Sequence, residues 1–359
     1  MIARVLAGHR RVTATAMTGS VLVALAGGCS GTQDGEPRPG GPAAQQSGGV
    51  TVRPDGDGNP LSGATLYTDP GSQAAQQAAR WRTVGRAADA TELDKIGARP
   101  VAHWLTTRDP AGIRTETEAL VRRAADAGQV PVLVAYNIPH RDCGNYSAGG
   151  AADAEQYRTW IRAVAAGLGS RPAVVVLEPD AVAHTLDGCR TDPAERHELL
   201  NDAVAVLKGT GATRVYLDAG NPGWLPDTEA LAGALRRSGV QQADGFALNV
   251  ANFIDTQTNV EYGNRLSTAL DGAHFVIDTS RNGRGQWTGG TTVDGGPSWC
   301  NPPDRGLGTS PTTETGLPRV DALLWVKRPG ESDGACRPGE PAAGTWWLDY
   351  ALGLARRAV

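Results

Sequence analysis

The chain has 359 residues, of which 20% are charged and 40% hydrophobic, and its formal net charge is −4. That length is too great for a peptide or a stapled mini-domain and fits either two ordinary domains or one α/β barrel. The mildly acidic balance and the apolar content exclude a basic nucleic-acid binder and a wholly disordered chain.

In chain order, Arg4, Arg10 and Arg11 form a positive start, and Val12 to Ala26 carries no charge. This is the layout of a secretory signal, with an apolar stretch too short for a membrane span of ~20 residues. The run Leu25-Ala26-Gly27-Gly28-Cys29 resembles a bacterial lipobox, so residues 1–28 are expected to be removed and Cys29 to carry a lipid. Three arginines leave with the signal, giving 331 residues at a formal charge of −7, a surface compatible with a neutral substrate. Residues 30–60 hold eight glycines and five prolines and read as a flexible tether from the outer face of the membrane, or a linker in a plainly secreted protein. From Leu61 to Val359, 299 residues run without a second linker, and one catalytic-size domain is expected, acting as a monomer.

Within it, apolar runs bounded by turn residues predict parallel strands at Val101–Leu105, Val130–Asn137, Ala173–Leu177, Thr213–Leu217, Gly245–Val250, His274–Asp278 and Val320–Val326. Helical patterns lie between them at Arg114–Ala127, Ala152–Gly167, Pro193–Lys208, Thr228–Ser238 and Asn259–Leu270. One more precedes the strands (Gln73–Ala90) and one follows (Trp346–Arg357). Seven strands with crossover helices fit a β/α barrel or an open doubly wound sheet. Polar residues crowd the carboxyl end of nearly every strand, and this favours the barrel.

Those ends carry Tyr136 and Asp142 after the second strand, Glu178 and Asp180 after the third, and Asp218 on the fourth. Lys327, Glu331 and Asp333 follow the seventh. Four aspartates on one rim repel one another and should raise the pKa of at least one carboxyl. A protonated carboxylic acid beside ionised partners is what cleavage of a glycosidic bond requires. Helix or turn capping would explain one such aspartate and not four. Clustered carboxylates also suit calcium or magnesium, the rival use of these residues. The cysteines form no short-spaced pair for zinc, and His9, His103, His140, His184, His197 and His274 are scattered. Neither a Walker loop nor a G-x-S-x-G elbow occurs, so no metal and no cofactor is expected.

Seven segments in order resemble glycoside hydrolase family 6, the cellulases that hydrolyse β-1,4-glucans. They are Pro131–Cys143, Val176–Asp180, Tyr216–Gly220 with Trp224, Gly245–Phe253, Asp278–Gly283, Trp299–Pro303, and Trp325–Lys327 with Gly330–Gly334. The resemblance implies a distorted barrel of seven parallel strands and an inverting hydrolysis, with acid and base carboxyls about 6.5–9.5 Å apart. It implies Asp180 as general acid, Asp142 as the neighbour that raises its pKa, Asp333 as base, and Asp218 as an orienting charge. Tyr136 would favour a distorted sugar ring. Trp104, Trp224 and Trp299 would stack on pyranose faces, with Asn249, Asn252, Lys327 and Glu331 binding hydroxyls. Trp160, Trp325, Trp346 and Trp347 read as core, and Trp81 and Trp287 stay open. Asn221 stands where many members carry histidine, and Ala148 where some carry serine. With Cys29 set aside, four cysteines allow three pairings, and the resemblance favours Cys143–Cys189 and Cys300–Cys336. Only 19 positions separate Lys327 from Trp346, little chain for a roof. An endoglucanase is therefore expected over a cellobiohydrolase, and over a glucan-binding protein that has lost catalysis, since all four aspartates are present.

Overall fold

The computed structural model describes residues 58–359. The signal, Cys29 and almost all of the tether lie outside them.

Among the described residues the strands are β1 (His103–Leu105), β2 (Val132–Ala135), β3 (Ala173–Leu177), β4 (Thr213–Asp218), β5 (Gly245–Leu248), β6 (His274–Asp278), the two-residue β7 (Thr292–Val293) and β8 (Gly296–Pro297), and β9 (Val320–Leu324). The first six and β9 form one parallel sheet in the order β1-β2-β3-β4-β5-β6-β9, while β7 and β8 pair as a small antiparallel hairpin. Where the ends of the sheet approach, the Ala102 N–H donates to the Trp325 carbonyl (2.9 Å) and the Trp104 indole to the Val326 carbonyl (2.8 Å). The sheet therefore curls into the expected distorted β/α barrel of seven parallel strands.

Alternation along each strand divides the core in two. Val132, Val134, Val174, Val176, Tyr216, Ala247, Val276, Ala322 and Leu324 pack inside the barrel. Leu133, Ala135, Val175, Leu177, Val215, Leu217, Phe246, Leu248, Phe275 and Ile277 meet the outer helices. Both faces are covered, which is why the strands read as continuous apolar runs.

The helices are α1 (Gln73–Thr83), α2 (Ala87–Gly97), α3 (Pro110–Asp126), α4 (Ala154–Leu168), α5 (Pro193–Lys208), α6 (Thr228–Arg237), α7 (Thr256–Ala269) and α8 (Leu348–Arg356). Asp109, Asp153, Asp192, Asp227 and Asp255 cap α3 to α7, each side chain accepting from an N–H of the first turn. Helix capping thus falls to a separate set of aspartates. The single helix expected over Gln73–Ala90 is two: Gly85 takes φ +79° and α2 starts afresh at Ala87. The helix α3 begins four residues earlier than expected, because Asp109 and Pro110 supply a cap and a preset first turn. Trp81, Trp325, Trp346 and Trp347 pack where α1 and α2 meet α8.

Candidate active site

A cleft of about 1010 Å³ opens at the carboxyl ends of the strands, lined by residues from the loops after β1 to β6 and β9. The loop after β2 brings Tyr136, Asp142 and Tyr146; the loop after β3 brings Asp180 and His184; the loop after β4 brings Trp224. Asp333, Lys327 and Glu331 face the same space from the loop after β9.

The backbone carrying the carboxylates is in an unusual conformation. Asp142, Glu178 and Asp180 all have left-handed φ (56°, 46° and 70°), which costs about 1 kcal/mol or more per non-glycine residue and persists only where surroundings impose it. Glu178 is one such constraint. It is fully buried, and its carboxylate accepts from the N–H groups of Asn137 and Ile138 at 3.0 Å. Burial pushes its pKa up to about 7 against those hydrogen bonds. Gly150 completes the seam: a Cβ there would lie 1.9 Å from the Ile138 carbonyl oxygen.

The aspartates form a graded set. Asp218 is buried, and its Oδ2 accepts from the backbone N–H of Asp180 (2.9 Å) and of Gly220 (3.2 Å), while Oδ1 has no partner among the described residues. Burial raises its pKa to about 7, opposed by those two N–H groups. Asp180 is raised well above the usual carboxylate range, first by burial and then by the charges of Asp218, Asp142 and Asp187. Asp142 is raised by burial, although Oδ2 accepts from Ser147 N–H at 2.6 Å. Asp333 goes the other way. Burial alone would raise it, but Arg281 (Nη1 to Oδ2, 2.9 Å), Lys327 (Nζ to Oδ1, 3.3 Å) and the Asn301 N–H (3.0 Å) hold it below its usual value. The cleft thus presents a carboxyl that keeps its proton and another that stays ionised.

Tyr136 lies beneath Arg141, whose guanidinium carbon is 4.6 Å from the ring centre and whose Nη1 donates to the Tyr136 carbonyl (2.8 Å). Burial and the charges of Asp180 and Asp142 raise its hydroxyl well above 10, so it acts as a neutral donor. Trp104 meets Tyr136 edge-on at 5.2 Å. Trp224 sits on a turn held by Asn221, whose Oδ1 accepts from Gly223 and Trp224 N–H at 3.1 Å. Trp299 is 46% exposed, and its ring centre is 6.0 Å from that of Tyr146, which packs on Gly334 and joins the Asp142 and Asp333 loops. Trp287 also lines the cleft, while Trp160 is fully buried and donates to the Thr107 carbonyl.

Among the hydroxyl-binding candidates, Asn252 lines the cleft, but Asn249 does not. Asn249 is fully buried; its amide donates to the Ile254 and Asp278 carbonyls and accepts from Ile254 N–H. Its place is to fold the loop after β5. Lys327 and Glu331 reach the cleft already engaged, Lys327 with the Ser332 carbonyl and Asp333, and Glu331 with Arg328 (2.7 Å). Ala148 and Ser147 both line the cleft, and the Ser147 N–H donates to Asp142.

Two contributors escaped the sequence reading. Arg281 is fully buried, donates to Asp333 and to the Ala251 carbonyl, and stacks over Phe253. Asp278 accepts from the N–H groups of Ala251, Ser280, Val326 and Lys327, pinning three loops to one another. Both stand in the segment Asp278–Gly283, and a buried-strand aspartate followed by an arginine was the available signal. The disulfides are Cys143–Cys189 and Cys300–Cys336, as the resemblance implied, each beside a loop carrying an aspartate of the cleft.

A seven-stranded β/α barrel with acidic groups of opposed pKa across a tryptophan-lined cleft has the architecture of a glycoside-cleaving enzyme. Residues 61–358 match the family described as Glycosyl hydrolases family 6, and the chain belongs to that family. It is 41% identical over 303 residues to Endoglucanase A of Thermobispora bispora and 41% identical over 300 residues to Endoglucanase A of Cellulomonas fimi. These alignments take in 82% and 83% of this chain, and the chain spans 62% of the length of each relative. Among solved structures, it is similar to the endoglucanase Cel6 from Mycobacterium tuberculosis, in complex with methyl-cellobiosyl-4-deoxy-4-thio-β-D-cellobioside, at 43% identity. The TM-score there is 0.77, covering 83% of this chain and 99% of that one. Endoglucanase CEL6B from Humicola insolens follows at 27% identity and a TM-score of 0.73, covering 84% of this chain and 99% of that one.

Proposed function

We propose that this chain hydrolyses internal β-1,4 bonds of cellulose or a related β-glucan with inversion at the anomeric carbon. The observation that carries the reading is the opposition of Asp180, kept protonated, and Asp333, kept ionised, in one cleft. Asp180 donates its proton to the glycosidic oxygen as the bond to the anomeric carbon breaks. Water attacks that carbon from the other face and gives up a proton through a second water to Asp333, which then releases it to solvent while Asp180 takes one up. Asp142 keeps Asp180 protonated between turnovers, Asp218 orients its loop, and Tyr136 crowds the ring at the cleavage point.

Trp104, Trp224 and Trp299 serve as sugar platforms, with Asn252, Lys327 and Glu331 at the hydroxyls. Cello-oligosaccharide as ligand class accords with the thio-linked cellobioside in the Mycobacterium tuberculosis structure. Internal cleavage accords with the names of the bacterial relatives at 40–41% identity, all endoglucanases, against 30% for the cellobiohydrolase C of Emericella nidulans. The short span between Lys327 and Trp346 favours the same reading. Export with a lipid on Cys29 would hold the monomeric domain at the outer face of the membrane.

The test is carboxymethyl-cellulose hydrolysis followed by viscosity and reducing ends together. Internal cleavage drops viscosity steeply for few new ends; release of cellobiose with viscosity nearly unchanged would overturn it.

A further inference from the structure

His184 has no part in the reaction as drawn, yet it is buried in the wall of the cleft. It is 6% exposed and packs edge-on against Trp224 at 5.2 Å. Its Nδ1 lies 2.8 Å from Oδ2 of Asp187. In a neutral ring, a carboxylate opposite Nδ1 favours the proton on that nitrogen, and the lone pair then lies on Nε2. Nε2 is buried and has no hydrogen-bond partner among the described residues. A ring nitrogen of His184 and one oxygen each of Asp142 and Asp180 all lie within 4.8 Å of one another.

We propose that Asp142, Asp180 and His184 form a binding site for a divalent transition ion of the Zn²⁺ class, and that an ion held there stops hydrolysis. The Asp187–His184 pair is the arrangement by which a carboxylate fixes the tautomer and orientation of a metal-binding imidazole. Three protein ligands with a fourth position open to the cleft suit Zn²⁺, Co²⁺ or Ni²⁺. The imidazole moves the cluster away from calcium and magnesium, which take oxygen ligands. Bonds of about 2.0–2.2 Å in a tetrahedron set ligand atoms ~3.4 Å apart, within reach of small side-chain rotations from 4.8 Å. Ser147 N–H donates to Oδ2 of Asp142, and the Asn145 side chain also reaches that carboxylate, so an ion would share it with two protein donors. Arg141, the nearest cation on that loop, is turned to the Tyr136 ring and the Ser147 carbonyl and does not bridge the two carboxylates. The other metal-spaced groups, Cys143 with Cys189 and Cys300 with Cys336, have their sulfurs tied in disulfides.

An ion on the Asp180 oxygen takes the place of the proton that the leaving group needs. The inhibitory half therefore rests on Asp180 as the acid, whereas the binding half rests on geometry alone. The two are separated by titrating the tag-free protein with Co²⁺ at pH 7 and reading visible absorption, alongside hydrolysis of carboxymethyl-cellulose in Zn²⁺. Expected are Co²⁺ bands that saturate at one equivalent and are displaced by Zn²⁺, and hydrolysis that stops with Zn²⁺ and returns with chelator. Asp187→Asn removes the orienting carboxylate, together with one of the charges that raise Asp180, and should weaken Co²⁺ binding about 10–100-fold, and His184→Gln should abolish the bands. Absence of a one-equivalent spectrum in the wild type, or the same spectrum in both variants, overturns the site. Full hydrolysis at saturating Zn²⁺ overturns the inhibition while leaving the site. A protein inactive without any metal would count against the hydrolase reading and leave the Co²⁺ titration to judge the site.

Discussion

The backbone N–H of Asp180 donates to Oδ2 of Asp218 at 2.9 Å, so the residue with the most strongly crowded carboxyl is held in place by the carboxylate that crowds it. The left-handed φ of 70° at Asp180 is fixed from below by that bond. The Asp218 charge adds to burial in raising Asp180, while the donated N–H works against the burial that raises Asp218.

Burial of Asp218 makes the stability of the fold depend on pH. The Asp218 pKa is raised by burial from 3.8 to about 7, so the folded state holds a proton that the unfolded chain releases. Its contribution is fully present below pH 3.8 and lost as pH rises through about 7. Asp218→Asn keeps an oxygen for both N–H groups and removes the ionisation. Thermal or urea unfolding from pH 4 to pH 8 should show a wild-type decline on the order of 4 kcal/mol larger than in the variant. Parallel curves would exclude Asp218 as the source.

Asp142 raises Asp180 by its charge. Asp142→Asn should move the alkaline limb of kcat/KM to lower pH, because an acid with fewer negative neighbours loses its proton sooner. The rate deficit of the variant should grow from pH 5 to pH 7. A deficit independent of pH would assign Asp142 another role.

Arg281 and Lys327 outweigh burial at Asp333. Arg281→Gln should let the Asp333 pKa rise, so the acidic limb of kcat/KM moves to higher pH. Removing one partner of a fully buried pair should also destabilise the fold by about 3–5 kcal/mol. The pH profile separates these effects, since lost stability alone does not move the limb.

Trp299 is exposed at the cleft and touches Tyr146. Trp299→Ala should cost about 1 kcal/mol of sugar contact, seen as a roughly 5-fold higher KM on cellohexaose with kcat little changed. An unchanged KM would remove Trp299 from the substrate path.

Much of this was readable from residue order. The strands β3, β4 and β6 lie within a residue of their apolar runs because burial on both faces leaves a continuous signal. The helix break at Gly85 was hidden, since a lone glycine in a helical pattern is ambiguous until its φ is known. Asp142, Asp180 and Asp333 were legible as residues at strand ends, whereas the inward turn of Asn249 was not: in sequence it stands one residue past an apolar run, like a cleft residue. Arg281 was missed for the opposite reason. A fully buried guanidinium is rare enough that composition assigns arginine to the surface, and only the fold shows the carboxylate it neutralises. The orphaned Nε2 of His184 is likewise a property of packing.

The most direct test of the account is proton NMR of cellohexaose hydrolysis by the wild type and by Asp180→Asn, read before the products mutarotate. The account predicts α-configured new reducing ends from the wild type and a rate lower by about 10²–10⁴-fold in the variant. New ends in the β-configuration, or a variant as fast as the wild type, would contradict it.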